Sequence, residues 1–87
     1  MTTRLTGRPR RLLTVNRRRI VVALLHHPNR SWTVRELAEA VPDVPEGAVR
    51  DTINQFLAES ILRPVPHRAL TIALTDTGQG LLKRLVG

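Results

Sequence analysis

The chain has 87 residues, 41% of them hydrophobic, no cysteine and a formal net charge of +7. It is one small domain with enough aliphatic side chain for a core, which excludes wholesale disorder, disulfides and thiolate metal sites. The longest apolar run, IVVALL at 20–25, is too short for a membrane span, and no apolar stretch of a secretory signal follows the basic start, so a cytoplasmic protein is expected.

The excess charge is concentrated at the start. Arg4, Arg8, Arg10, Arg11, Arg17, Arg18 and Arg19 fall within the first 19 residues with no acid among them. The other 68 residues carry 7 basic and 7 acidic side chains and are formally neutral. Each phosphate neutralised by such a run releases a condensed counterion, so nucleic acid is a better expected partner than solvent alone. Residues 1–13 scatter Gly, Pro and Thr among arginines without a period and are expected to form a flexible basic arm, leaving 14–87 as the folded domain. Within the arm, GRPRR at 7–11 is similar to the core of an AT-hook, an extended segment suited to a narrow minor groove. A generic basic arm is the simpler expectation.

Asn16 is a suitable N-cap for a first helix, RRRIVVALLHH, with Ile20, Val21, Leu24 and Leu25 on one face. Pro28 ends it and leaves His26 and His27 at the negative end of the helix dipole. No metal site is expected, because adjacent helical histidines diverge by about 100° and His67 is remote in sequence. Next, Thr33 and Glu36 have capping-box spacing, and Trp32 with Leu37 has that of a hydrophobic staple, so a second helix runs from about Thr33 to about Val41. The staple and core role is preferred for Trp32 over base stacking.

PDVP at 42–45 forces a turn. Pro42 stops the second helix, and Pro45 suits the first turn of a third, spanning about 45–59. Val49, Ile53, Phe56 and Leu57 form its apolar stripe, and Glu46, Gly47, Arg50, Asp51 and Asn54 its polar side. Two short helices across a tight turn have helix-turn-helix geometry, in which the second helix enters a major groove. Beyond it, Leu70, Ile72 and Leu74 alternate with Thr71, Ala73 and Thr75, as in a strand with one buried face. ILRPV forms the preceding strand across a turn at Pro66-His67-Arg68-Ala69. Pro64 and Pro66 confine that strand to a sheet edge. Thr75 then caps a last helix carrying Leu81, Leu82, Leu85 and Val86.

From about residue 15 onward the chain resembles the winged helix-turn-helix domain of bacterial MarR/PadR-like regulators. WTVRELAEAV matches the supporting helix and EGAVRDTINQFLAESIL the recognition helix leading into the wing. LTDTGQGLL is similar to the Leu-Thr-Asp-x-Gly stretch that follows the wing. The implied fold is mainly α with a small β-hairpin (α+β), in the order helix, short strand, helix, helix, strand, strand, helix. The resemblance implies double-stranded DNA binding, with the third helix in the major groove and the wing, about 61–74, on a minor groove or backbone. Ser60 departs from the pattern by standing where glycine is usual. The sequence ends soon after the last helix, so no small-molecule effector is expected and regulation would act by occupancy.

On this basis Arg50, Asn54, Gly47 and Asp51 are the candidate base readers, Arg50 first because its fork pairs with guanine and Asn54 next because its amide pairs with adenine. Arg4, Arg8, Arg10, Arg11, Arg17, Arg18, Arg19, Arg35, His67 and Arg68 are candidates for backbone or minor-groove contacts. The competing role for Arg50 is an ion pair with Glu46. No catalytic constellation or phosphate loop is present, so neither an enzyme nor a cofactor is expected. Alternatives are a protein-docking winged helix and a mobile-element recombination accessory factor. A homodimer through the last helix is a further option. RNA binding is less well supported without stacking aromatics.

Overall fold

The computed structural model describes residues 14–86. Its elements are α1 (Val15–His26), β1 (Ser31–Thr33), α2 (Val34–Ala40), α3 (Glu46–Ala58), β2 (Leu62–Pro64), β3 (Thr71–Leu74) and α4 (Asp76–Val86). The expected arm at 1–13 lies outside the described residues. The α+β class and the element order are as anticipated from sequence.

Local chemistry sets most helix ends. α1 begins two residues earlier than expected: Thr14, not Asn16, is its cap, with Oγ1 accepting from Arg17 N at 3.1 Å. A β-hydroxyl just outside the helix reaches the orphan amides, whereas Asn16 is already helical. The α2 capping box is complete, with Glu36 N donating to Thr33 Oγ1 and Thr33 N to Glu36 Oε1, both at 3.0 Å. Pro45 is the N-cap of α3 and not its first helical residue; its carbonyl accepts from Ala48 N and Val49 N.

α3 ends in a Schellman motif. Ser60 adopts φ 60°, its N–H donates to Leu57 O at 3.1 Å, and Ile61 N donates to Phe56 O at 2.9 Å. The left-handed cap is therefore formed by Ser60, where glycine is usual. α4 docks on this joint. Thr75 Oγ1 donates to Ser60 O at 2.7 Å and accepts from Gly78 N at 2.9 Å, while Thr75 N donates to Ile61 O at 3.0 Å. A Cβ on Gly78 would stand 2.3 Å from Ile61 O, so α4 approaches that backbone as only glycine allows. The Thr and Gly of LTDTGQG thus have a structural task.

The sheet is antiparallel with order β1-β3-β2, pairing Trp32 with Ile72 and Ile72 with Pro64. Proline-bearing β2 takes an edge, as the missing N–H of Pro64 requires. The expected alternation along β3 is not observed. Thr71, Ile72 and Ala73 are all buried, and Leu70 is 77% exposed at φ 53°. β3 is the central strand, flanked on both sides, so small residues on either face are sheltered, whereas Leu70 precedes the strand in a left-handed turn that breaks the period-2 projection. The core unites Ile20 and Leu24 of α1, Trp32 of β1, Leu37 of α2, Phe56 of α3 and Leu82 of α4.

Candidate nucleic-acid interface

α3 packs on α1, α2 and β2 through Val49, Thr52, Ile53 and Phe56. Thr52 was not among the expected core residues, although the spacing 49, 52, 53, 56 is that of one helix face. Leu57, expected in that stripe, is only half-buried. The four candidate base readers, Gly47, Arg50, Asp51 and Asn54, are exposed, as is Glu46. At Gly47 an added Cβ would meet nothing within 4 Å, so packing within the fold does not demand glycine there. The first turn of α3 is open to close approach from outside.

The hairpin brings a second group of residues to α3. β2 and β3 pair only over Leu62–Pro64 and Ile72–Leu74. Between them the chain turns through His67 at φ 63°, with Arg68 N donating to Val65 O at 3.3 Å and Val65 N to Thr71 O at 2.9 Å. The returning half of the turn is fastened to the start of α2, where Val34 N donates to Leu70 O at 3.1 Å. This fold-back places Arg68 beside Arg50, Asn54, Leu57 and Leu70 around a hollow of about 270 Å³ between α3 and the hairpin. A candidate base reader and a candidate backbone contact, remote in sequence, share one concavity.

The remaining arginines differ in how far the fold already uses them. Arg50 Nη2 lies 3.4 Å from Glu46 Oε2, an exposed i,i+4 pair. Such a pair contributes about 0.3–0.5 kcal/mol, against about 1–3 kcal/mol for a bidentate contact with guanine, so it does not prevent base readout. Arg35 is held in the same loose way by Glu39 at 3.7 Å. Arg17 donates to the Gln55 side chain and joins α1 to α3. Arg19 pairs with Asp43 at 2.8 Å and ties α1 to the turn before α3. The Arg17 bond is part-buried, whereas the Arg19–Asp43 pair is exposed to solvent. Arg18 and Arg68 are exposed and make no ion pair among the described residues, and His67 is exposed in the turn. Arg4, Arg8, Arg10 and Arg11 lie outside the described residues.

Trp32 is buried in the core, with the Arg30 guanidinium 4.0 Å from its ring centre, so the ring offers no open face to a base. His26 and His27 stand side by side, their ring centres 6.3 Å apart. Among the described residues no group of three or more His, Cys, Asp or Glu side chains is arranged to hold a metal ion. No helix among them is long and apolar enough to cross a membrane.

No family model matches the chain, and no curated protein matches it. Among solved structures it is similar to the MarR family transcriptional regulator SPO1453 from Silicibacter pomeroyi DSS-3. The TM-score is 0.66 and the identity 20%, over 84% of this chain and 52% of that one. The chain thus spans about half the length of that regulator. At this identity the likeness is one of fold: four helices and a three-stranded antiparallel sheet arranged as a winged helix-turn-helix of MarR type.

Proposed function

We propose that this protein is a small sequence-specific duplex-DNA-binding protein that regulates transcription by occupying its site. α3 enters the major groove, with Arg50 and Asn54 pairing with bases and Gly47 and Asp51 close to them. The hairpin, through His67 and Arg68, and the basic arm, through Arg4, Arg8, Arg10 and Arg11, contact backbone or minor groove, with Arg18 and Arg35 as further phosphate contacts. The observation that carries this reading is the convergence of Arg50, Asn54 and Arg68 from two elements on one exposed hollow. The arginine-rich, acid-free start of the chain supports it, as does the fold shared with a regulator of transcription. The site of action would be the cytoplasm.

Selection of bound sequences from a random duplex library tests the reading. A reproducible consensus is expected, and a palindrome would add a homodimer with two half-sites. Recovery of random sequence would refute sequence-specific binding. The arm is tested by deleting residues 1–11. The hydrophobic core begins at Ile20, so the melting temperature should hold while affinity falls alike for all duplexes. The slope of log K against log salt should flatten by up to about 0.9 per lost phosphate contact. An unchanged slope would remove the arm from the interface.

A protein-docking role rests on a different observation, the exposure of Leu81 and Leu85 at 39% and 37% on α4. Salt-independent indifference to duplex DNA would favour it.

A further inference from the structure

The exposed leucine of the hairpin is the least expected feature of the candidate interface. Leu70 is 77% exposed, yet its backbone is fixed at φ 53° and its carbonyl is fastened by the Val34 amide at 3.1 Å. Left-handed geometry is unfavourable for a leucine and natural for glycine or asparagine. Solvent exposure also forgoes the burial that normally favours an aliphatic side chain. The fold thus meets two costs at one residue and gains no core contact from its side chain. What it obtains is a rigidly placed apolar knob. Leu70 stands between two hollows, one shared with Arg50, Asn54 and Arg68, the other with Arg50, Arg35 and Ala38.

We propose that Leu70 is a specificity-determining residue that contacts the 5-methyl group of a thymine next to the bases read by Arg50 and Asn54. This rests on the DNA-binding function proposed above. The chemistry selects thymine, because its methyl is the one apolar group that any of the four bases presents on the major-groove edge. The place selects the major groove over the minor groove. Leu70 borders α3 at the returning end of the turn, whereas His67 and Arg68, which precede it, suit phosphates or a minor groove. Arg50, Asn54 and Arg68 stand at the same hollow, whose lining is otherwise largely apolar (Val34, Ile53, Leu57, Pro64), so polar groups for a base edge and apolar ones for its methyl meet in one place. A hydrophobic protein partner would have to cover the polar groups as well.

The test uses the duplex of highest affinity from the random-library selection, with each thymine in turn replaced by deoxyuridine, which removes only the methyl. The wild-type chain should lose about fourfold in affinity at one position, the worth of one buried methyl group. Leu70→Asn suits the left-handed backbone, so it should fold with an undiminished melting temperature. It should bind the thymine and deoxyuridine duplexes equally at that position while keeping its preferences elsewhere. A wild-type chain indifferent to deoxyuridine at every thymine would overturn the methyl contact while leaving sequence-specific binding intact. So would a Leu70→Asn chain with the same deoxyuridine penalty. Absence of any selected consensus would instead remove the DNA-binding function on which the proposal rests.

Discussion

Two residues of this protein, Ser60 and Leu70, share a left-handed backbone, with φ of 60° and 53°, and little else. At Ser60 the unfavourable geometry closes α3 with two hydrogen bonds and turns Ile61 back onto Phe56, both core residues. Thr75 and Gly78 then seat α4 on the same backbone. At Leu70 one hydrogen bond to α2 holds the backbone, and the side chain points away from the core. Similar strain therefore serves two ends: in the joint it builds the fold, and in the hairpin it presents a side chain beside α3. Substitutions on the joint should change stability, and substitutions around the hairpin hollow should change recognition.

The strongest way to break the comparison is at the joint. Gly78→Ala drives a methyl into the Ile61 carbonyl, a backbone atom that cannot swing aside. Overpacking of this kind should destabilise the domain by about 3 kcal/mol, read from chemical denaturation. Gly80→Ala, two residues along the same helix, meets nothing within 4 Å and should gain up to about 1 kcal/mol from helix propensity. Equal effects at the two glycines would show that the joint is not closely packed.

On the recognition side, Arg50→Ala should cost about 1–3 kcal/mol on the selected duplex and relax the preference at one base position. Stability should barely change, because only an exposed ion pair is lost. Binding to selected and scrambled duplexes at one salt concentration is the measurement. Equal losses on both would make Arg50 a phosphate contact, and no loss on either would move the function off α3.

Ser60→Gly carries the smallest expected effect. It relieves about 1–2 kcal/mol of left-handed strain but adds unfolded-chain entropy, leaving a net gain of about 0.5–1 kcal/mol in thermal or chemical unfolding. DNA affinity should not follow. A change in affinity without a change in stability would join the two regions that the comparison separates.

Much of the fold was legible because its signals are short. The Thr33–Glu36 box, the PDVP turn and the Thr75 cap each involve groups within about four residues of one another. The spacing of Ile20, Val21 and Leu24 places them on one helix face without reference to any partner. The misplacements were also local: Thr14 displaced Asn16 as cap by two positions, and Thr52 fell on a face that the spacing already implied. The polar side of α3 could likewise be read from helical periodicity, which is why Arg50 and Asn54 were identifiable before their surroundings were known.

By itself the sequence determined the elements, their order, the basic start and the two faces of α3, because capping, proline geometry and helical period act over one or two turns of chain. Only the tertiary structure decided that β3 is central, so that Thr71 and Ala73 are buried while Leu70 is not. It alone decided that Arg17 reaches Gln55 of α3 and Arg19 reaches Asp43, and that Arg68 and Leu70 fold back beside Arg50 and Asn54. The physical reason is common to all three. Burial and convergence depend on β1 pairing with β3, on α1 meeting α3 and on Val34 holding Leu70. Those contacts join residues far apart in the chain, and no period along it encodes which of them will meet.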